Sequence, residues 1–166
     1  MRGRQAKAAF SIRVVVVLGL GACSSFATPG PTGPLAEHAR GIQAGYGPLK
    51  CQSASVPVGP AFRGPHLVCV GSRSTRRAGF VLTKSGLVVE TVTEEDAGSS
   101  GRAQYVRDSL SQEFDNLGQP RLAWCDGTDS LHGSLWQLGD RYIVVAADTA
   151  RHTVVKSETL GEHYCR

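Results

Sequence analysis

Ala103, Val106, Leu110, Phe114 and Leu117 recur at intervals of three and four residues, while Arg107, Asp108, Gln112, Glu113 and Asp115 fill the positions between them. That repeat marks one apolar helix face, so the spacing predicts an amphipathic helix. Ser99 or Ser100 fits its N-cap, Gly118 its end, and Pro120 forbids continuation. On either side the apolar runs are shorter and rich in β-formers. Residues 66–70, 80–83 and 87–92 precede the helix, the last two joined across Lys84-Ser85-Gly86, and Glu94-Glu95-Asp96 reads as an acidic turn. Residues 121–125, 134–138, 142–147 and 152–156 follow it, separated by turn-forming stretches such as Gly139-Asp140, a two-residue hairpin signal. A weaker helical segment spans residues 35–44, with Pro34 at its first position and Gly41 inside it. Short strands with tight turns make an antiparallel meander, and a helix can cover only one of its faces. The fold class predicted is α+β: an antiparallel β-meander covered by one main amphipathic helix, with Val106, Leu110 and Phe114 packed on Trp136, Ile143 and Val145.

The first 22 residues stand apart. Of the chain's 18 Lys and Arg, Arg2, Arg4, Lys7 and Arg13 fall there with no acid beside them; outside that segment the basic residues balance the 14 Asp and Glu. The net charge of +4 is therefore a property of the leader and points to no nucleic-acid partner. Behind the basic start lies an uncharged run from Val14 to Ala22, too short to span a bilayer but suited to an export signal. It ends in Leu20-Gly21-Ala22-Cys23, which resembles the lipobox of bacterial lipoproteins. The resemblance implies thioether acylation of Cys23, cleavage before it, and anchoring to the lipid bilayer without a transmembrane helix. An ordinary secretory signal cut after Ser25-Phe26-Ala27 is the alternative. Ser24 behind the cysteine, where some lipoproteins carry Asp, implies an outer-membrane destination facing the periplasm if the cell has two membranes. The organisation expected is a lipoprotein signal peptide over 1–22, acylated Cys23 with a Pro- and Gly-rich tether over 23–45, and a single α+β domain over 46–166.

Setting Cys23 aside leaves Cys51, Cys69, Cys125 and Cys165, an even number that suggests two disulfides in an oxidising compartment. Three connectivities are open. Loop-closure entropy favours sequence-near pairs, Cys51 with Cys69 and Cys125 with Cys165. No two of these cysteines are spaced as a Cys-x-x-Cys redox or zinc pair.

Chemistry is sparse along the chain. Asp126, Asp129 and His132 lie within seven residues and offer oxygen and nitrogen ligands, but lack the order of a calcium loop and its closing Glu, so a solvated turn is the simpler expectation. Neither a phosphate loop, a dinucleotide fingerprint nor a nucleophile elbow occurs, and no cofactor is implied. Arg73, Arg76 and Arg77 form a local basic cluster that can contact lipid phosphates or a partner, or sit in a solvated loop. Trp124 and Trp136 are read as core residues rather than binding anchors. Leu117-Gly118-Gln119-Pro120 followed by a Trp-bearing hairpin resembles the arrangement in small outer-membrane assembly lipoproteins; the Ser-Gly-x-x-Tyr pattern of lysozyme-inhibiting lipoproteins is absent. The function these features predict is a membrane-anchored envelope lipoprotein with a non-enzymatic binding or assembly role toward an envelope protein or cell-wall component. The alternatives are a periplasmic hydrolase or metal-dependent enzyme, or an inhibitor of a cell-wall hydrolase.

Overall fold

The computed structural model describes residues 30–54, 66–118, 121–122 and 131–161. Chain order is α1 (Ala36–Gly45), β1 (Lys50–Ala54), β2 (His66–Arg73), β3 (Arg76–Leu82), β4 (Val88–Asp96), α2 (Ser100–Asn116), β5 (Arg121–Leu122), β6 (Leu131–Leu138), β7 (Arg141–Asp148) and β8 (Thr153–Leu160). The strands form one antiparallel sheet in the order β1-β2-β3-β4-β8-β7-β6-β5. It is thus two four-stranded meanders joined along the β4–β8 ladder, with α2 carrying the chain from the centre of the sheet to its far edge. The α+β class holds. The single meander does not, because β8 returns to pair with β4 rather than lying at an edge.

Both helices pack on the same face. On α2, Ala103 is buried, and Val106, Leu110 and Phe114 rest against Trp136, Val145, Ala147 and Val154. Phe114 stacks obliquely on Trp136, ring centroids 5.2 Å apart. Ile143 is buried on that face too, opposite Glu158. The predicted helix is therefore docked on the later strands, capped by the Ser99 hydroxyl, which accepts from the Arg102 amide. Leu117 is the exception. The helix ends one residue before it, so the last member of the apolar repeat projects into solvent, 61% exposed. The other correction concerns α1. Leu35, Ala39 and Ile42 are buried with Cys69, Ala78, Phe80, Leu82, Val88 and Leu160, so two helices cover the sheet rather than one. Thr32 also bridges to Leu87. Residues 32–45, expected to be tether, thus include segments that pack on the sheet.

Hairpins extend further than the sequence pattern implies. β2 and β3 run on to Arg73 and Arg76, and the chain reverses at Ser74-Thr75 with Ser74 at φ +55°. β4 continues through the residues read as an acidic turn, because Glu94 and Glu95 stand opposite Arg77 and Arg76 in register. Cross-strand opposite charges reward continued pairing there. The β3–β4 turn is as predicted, with Gly86 at φ +88°. One register shift interrupts β3–β4: Val81 pairs Glu90 and Leu82 pairs Val88, which leaves Val89 as the extra residue of a bulge. At the sheet's edge, Cys51 and Cys69 face each other in register and form a disulfide. It is the one disulfide among the described residues; Cys125 and Cys165 lie outside them.

Candidate functional site

The ladder at the sheet's centre carries buried polar groups on both faces. On the helix face a row crosses from Ile143 on β7 through Glu158 on β8, Thr91 on β4 and Phe80 on β3 to Cys69 on β2. Its middle members, Glu158 and Thr91, are buried although polar. They lie between the ground covered by α1, over β3 and β4, and that covered by α2, over β6 to β8. The strip between the helices is a polar seam.

Three basic side chains converge on the Glu158 carboxylate. Lys156 Nζ lies 3.2 Å from Oε1, and His38 Nδ1 and Arg141 Nη1 lie 3.2 and 3.6 Å from Oε2. Each comes from a different place: His38 from the first turn of α1, Arg141 from the start of β7, and Lys156 from two residues earlier on β8, where β alternation puts it on the same face as Glu158. Lys156 also sits over the Phe114 ring, 5.2 Å from its centroid, a cation–π contact that ties the seam to α2. Beside it, Trp136 Nε1–H donates to Asp115 Oδ1 at 3.1 Å. Burying one carboxylate is tolerable only because it is paired. Even so, Oε2 accepts no aligned hydrogen bond among the described residues.

The other face holds a second, half-buried carboxyl. Glu90 neighbours Val81, Val89 and Val92, and the Ser157 hydroxyl donates to its Oε1 at 3.1 Å. Burial pushes its pKa above the ordinary glutamate range, and the hydrogen bond from Ser157 only partly offsets that. A raised folded-state pKa means that the native protein holds a proton the unfolded chain has released. Stability from this group is present below the ordinary glutamate range and is lost as pH rises through the folded value. Glu90→Gln keeps an oxygen for Ser157 and removes the titration. Its denaturation midpoint should lie above that of the unsubstituted protein at neutral pH, and the two should converge on acidification. Parallel pH curves would show that Glu90 does not titrate as its burial demands.

The residues singled out from sequence fare unequally. Arg73, Arg76 and Arg77 are exposed at the β2–β3 hairpin, but much of their charge is already engaged. Arg76 pairs with Glu95 at 3.1 Å and Arg77 with Glu94 at 3.8 Å, and Arg73 Nη1 donates to the Gly45 carbonyl at the end of α1. The expected solvated loop is instead the tip of paired strands. His132 is on β6, its backbone in register with Ala147, rather than on a turn. Cys23, Asp126 and Asp129 lie outside the described residues. Among the described residues, no three His, Cys, Asp or Glu side chains are grouped to hold a metal ion, and no helix is long and apolar enough to cross a membrane. Sequence reading missed Glu158, Lys156, Arg141, His38 and Glu90. The one available signal was Lys156-Ser157-Glu158-Thr159, a polar run directly continuing an apolar strand.

Comparisons with protein-family models, with curated proteins and with solved structures find no match to this chain.

Proposed function

We propose that this protein is a lipoprotein of the bacterial cell envelope, anchored through acylated Cys23, whose domain acts by binding rather than by catalysis. The observation that carries the reading is the Cys51–Cys69 disulfide, 18 residues apart in sequence and formed at the expected sequence-near pairing. Such bonds persist in exported proteins and are rare where thiols are kept reduced. It supports export independently of the basic and apolar leader and of the Leu20-Gly21-Ala22-Cys23 resemblance. A second bridge between Cys125 and Cys165 belongs to the same reading, as does an outer-membrane location facing the periplasm. A binding role toward an envelope or cell-wall component is supported by the form of the domain: a stapled sheet with two docked helices and a charged seam between them. A rigid scaffold with a few converging polar groups is how binding sites are commonly built.

Mass spectrometry of the mature N-terminus tests the anchor. The expected result is a chain that begins at a diacylglyceryl-modified Cys23; an unmodified chain starting at Thr28 would replace the lipoprotein with a soluble secreted protein. Crosslinking pull-down from membranes, with the Cys23→Ala form as control, then addresses the partner.

A further inference from the structure

We infer that the seam between the two helices is a binding site for a phosphate group, held by Arg141, Lys156 and His38. Three features of the seam support this. Two permanent cations and one histidine surround a single carboxylate, so the site carries excess positive charge next to low-dielectric sheet and helix walls, where such charge attracts anions most strongly. The carboxylate is withdrawn further than the basic groups: the Glu158 side chain is 7% exposed, against 26% for Arg141, 34% for Lys156 and 50% for His38. The donors also outnumber what one carboxylate can accept: the Lys156 ammonium carries three N–H groups and the Arg141 guanidinium five, so a second anion can share them.

A phosphate suits this arrangement better than another carboxylate. Its oxygens are arranged tetrahedrally and can meet three donors that approach from α1, β7 and β8, whereas a planar carboxylate already occupies the inner position. The guanidinium fork of Arg141 and the compact ammonium of Lys156 are both established ways of holding phosphate. Glu158 then serves as a positioning residue that holds the three basic side chains together while the site is empty. The phosphate can come from a lipid headgroup or from a free phosphorylated molecule. Thr32, already tied to the sheet, lies nine residues beyond Cys23, a span of about 30 Å when extended, so under the anchored reading the domain is held close to the bilayer surface. The phosphate site itself does not depend on acylation.

The test is calorimetric titration of the mature full chain, in neutral detergent, with inorganic phosphate at constant ionic strength. Saturable binding is expected. Lys156→Gln, at a half-buried position, should weaken it about five-fold or more, and Glu158→Gln, which lifts the competing negative charge and keeps all three basic side chains, should tighten it by a similar factor. Circular dichroism establishes that each variant is folded, and Arg141→Gln joins the series if it is. Folded unsubstituted protein and folded Glu158→Gln that both fail to bind phosphate would overturn the proposal, as would binding indifferent to Lys156. Repeating the titration in micelles doped with phosphatidylglycerol, against micelles doped with diacylglycerol, separates the sources. Competition by the phospholipid alone assigns a headgroup; unchanged phosphate affinity in both assigns a free phosphorylated ligand. The N-terminal mass reports on anchoring separately, so the failure of one idea does not disguise the failure of the other.

Discussion

Replacing Trp136 with alanine should destabilise the domain by about 3–5 kcal/mol, a large part of the 5–15 kcal/mol typical of a whole domain. Trp136 is completely buried and stands where three supports meet. On the sheet it pairs with Ile143 of β7 and Arg121 of β5; above, it stacks on Phe114; and its indole N–H is held by Asp115. Truncation would open a cavity beneath α2 and leave the Asp115 carboxylate without that donor, and both changes act in the same direction. Phe114→Ala removes the facing ring from a half-buried position, so its cost should be smaller than that of Trp136→Ala, and Glu113→Ala on the exposed side should cost under about 0.5 kcal/mol. Urea melts of the three variants give the order directly. If Trp136→Ala and Phe114→Ala shifted the midpoint equally little, α2 would not be held to the sheet by this stack.

Much of this packing was legible because it is periodic. The 3-4 spacing from Ala103 to Phe114 has one low-energy solution, a helix with one buried stripe, and the turn glycines 86, 118 and 139 all adopt the positive φ that their places require. What escaped was decided by long-range pairing. Glu94 and Glu95 are polar residues that end a strand when read alone; opposite Arg77 and Arg76 they extend it. The segment around α1 is interrupted by Gly41, a poor helix former, and its proline-rich lead suits a tether. It folds because Leu35, Ala39 and Ile42 find an apolar hollow formed by strands tens of residues away. Most helical stability in proteins comes from such packing rather than from propensity.

The seam was hidden for the same reason. A Glu in a polar run on a strand reads as solvated, and nothing within ten residues of Glu158 discloses that His38, 120 residues earlier, will lie against it. Alternation along β8 was also misleading. Lys156 and Glu158 face one way and Ser157 the other, toward Glu90, so a stretch with no apolar side has both sides occupied. Buried polar residues follow from their partners, and the partners follow from the topology.

Removing the Cys51–Cys69 bridge by a double change to alanine should cost about 3 kcal/mol, the loop-closure entropy returned to the unfolded chain for cysteines 18 residues apart. The loss should also be local. β1 pairs with β2 alone, and the side chains of Lys50, Cys51, Gln52 and Ser53 are exposed, so apolar burial contributes little to holding that strand. β2 differs: Cys69 is buried beside Phe80, Ala78 and Ile42, and the strand pairs with β3 along its length. The bridge therefore ties a weak edge strand to a firmly packed neighbour. Hydrogen exchange on the double variant should show residues 50–54 losing protection while residues 66–73 keep theirs, with a global denaturation midpoint lowered by the same substitution. An unchanged midpoint with unchanged protection at 50–54 would mean that β1 is held by its ladder alone. Protection lost across β2 and β3 as well would mean that the bridge organises the whole first meander rather than its edge.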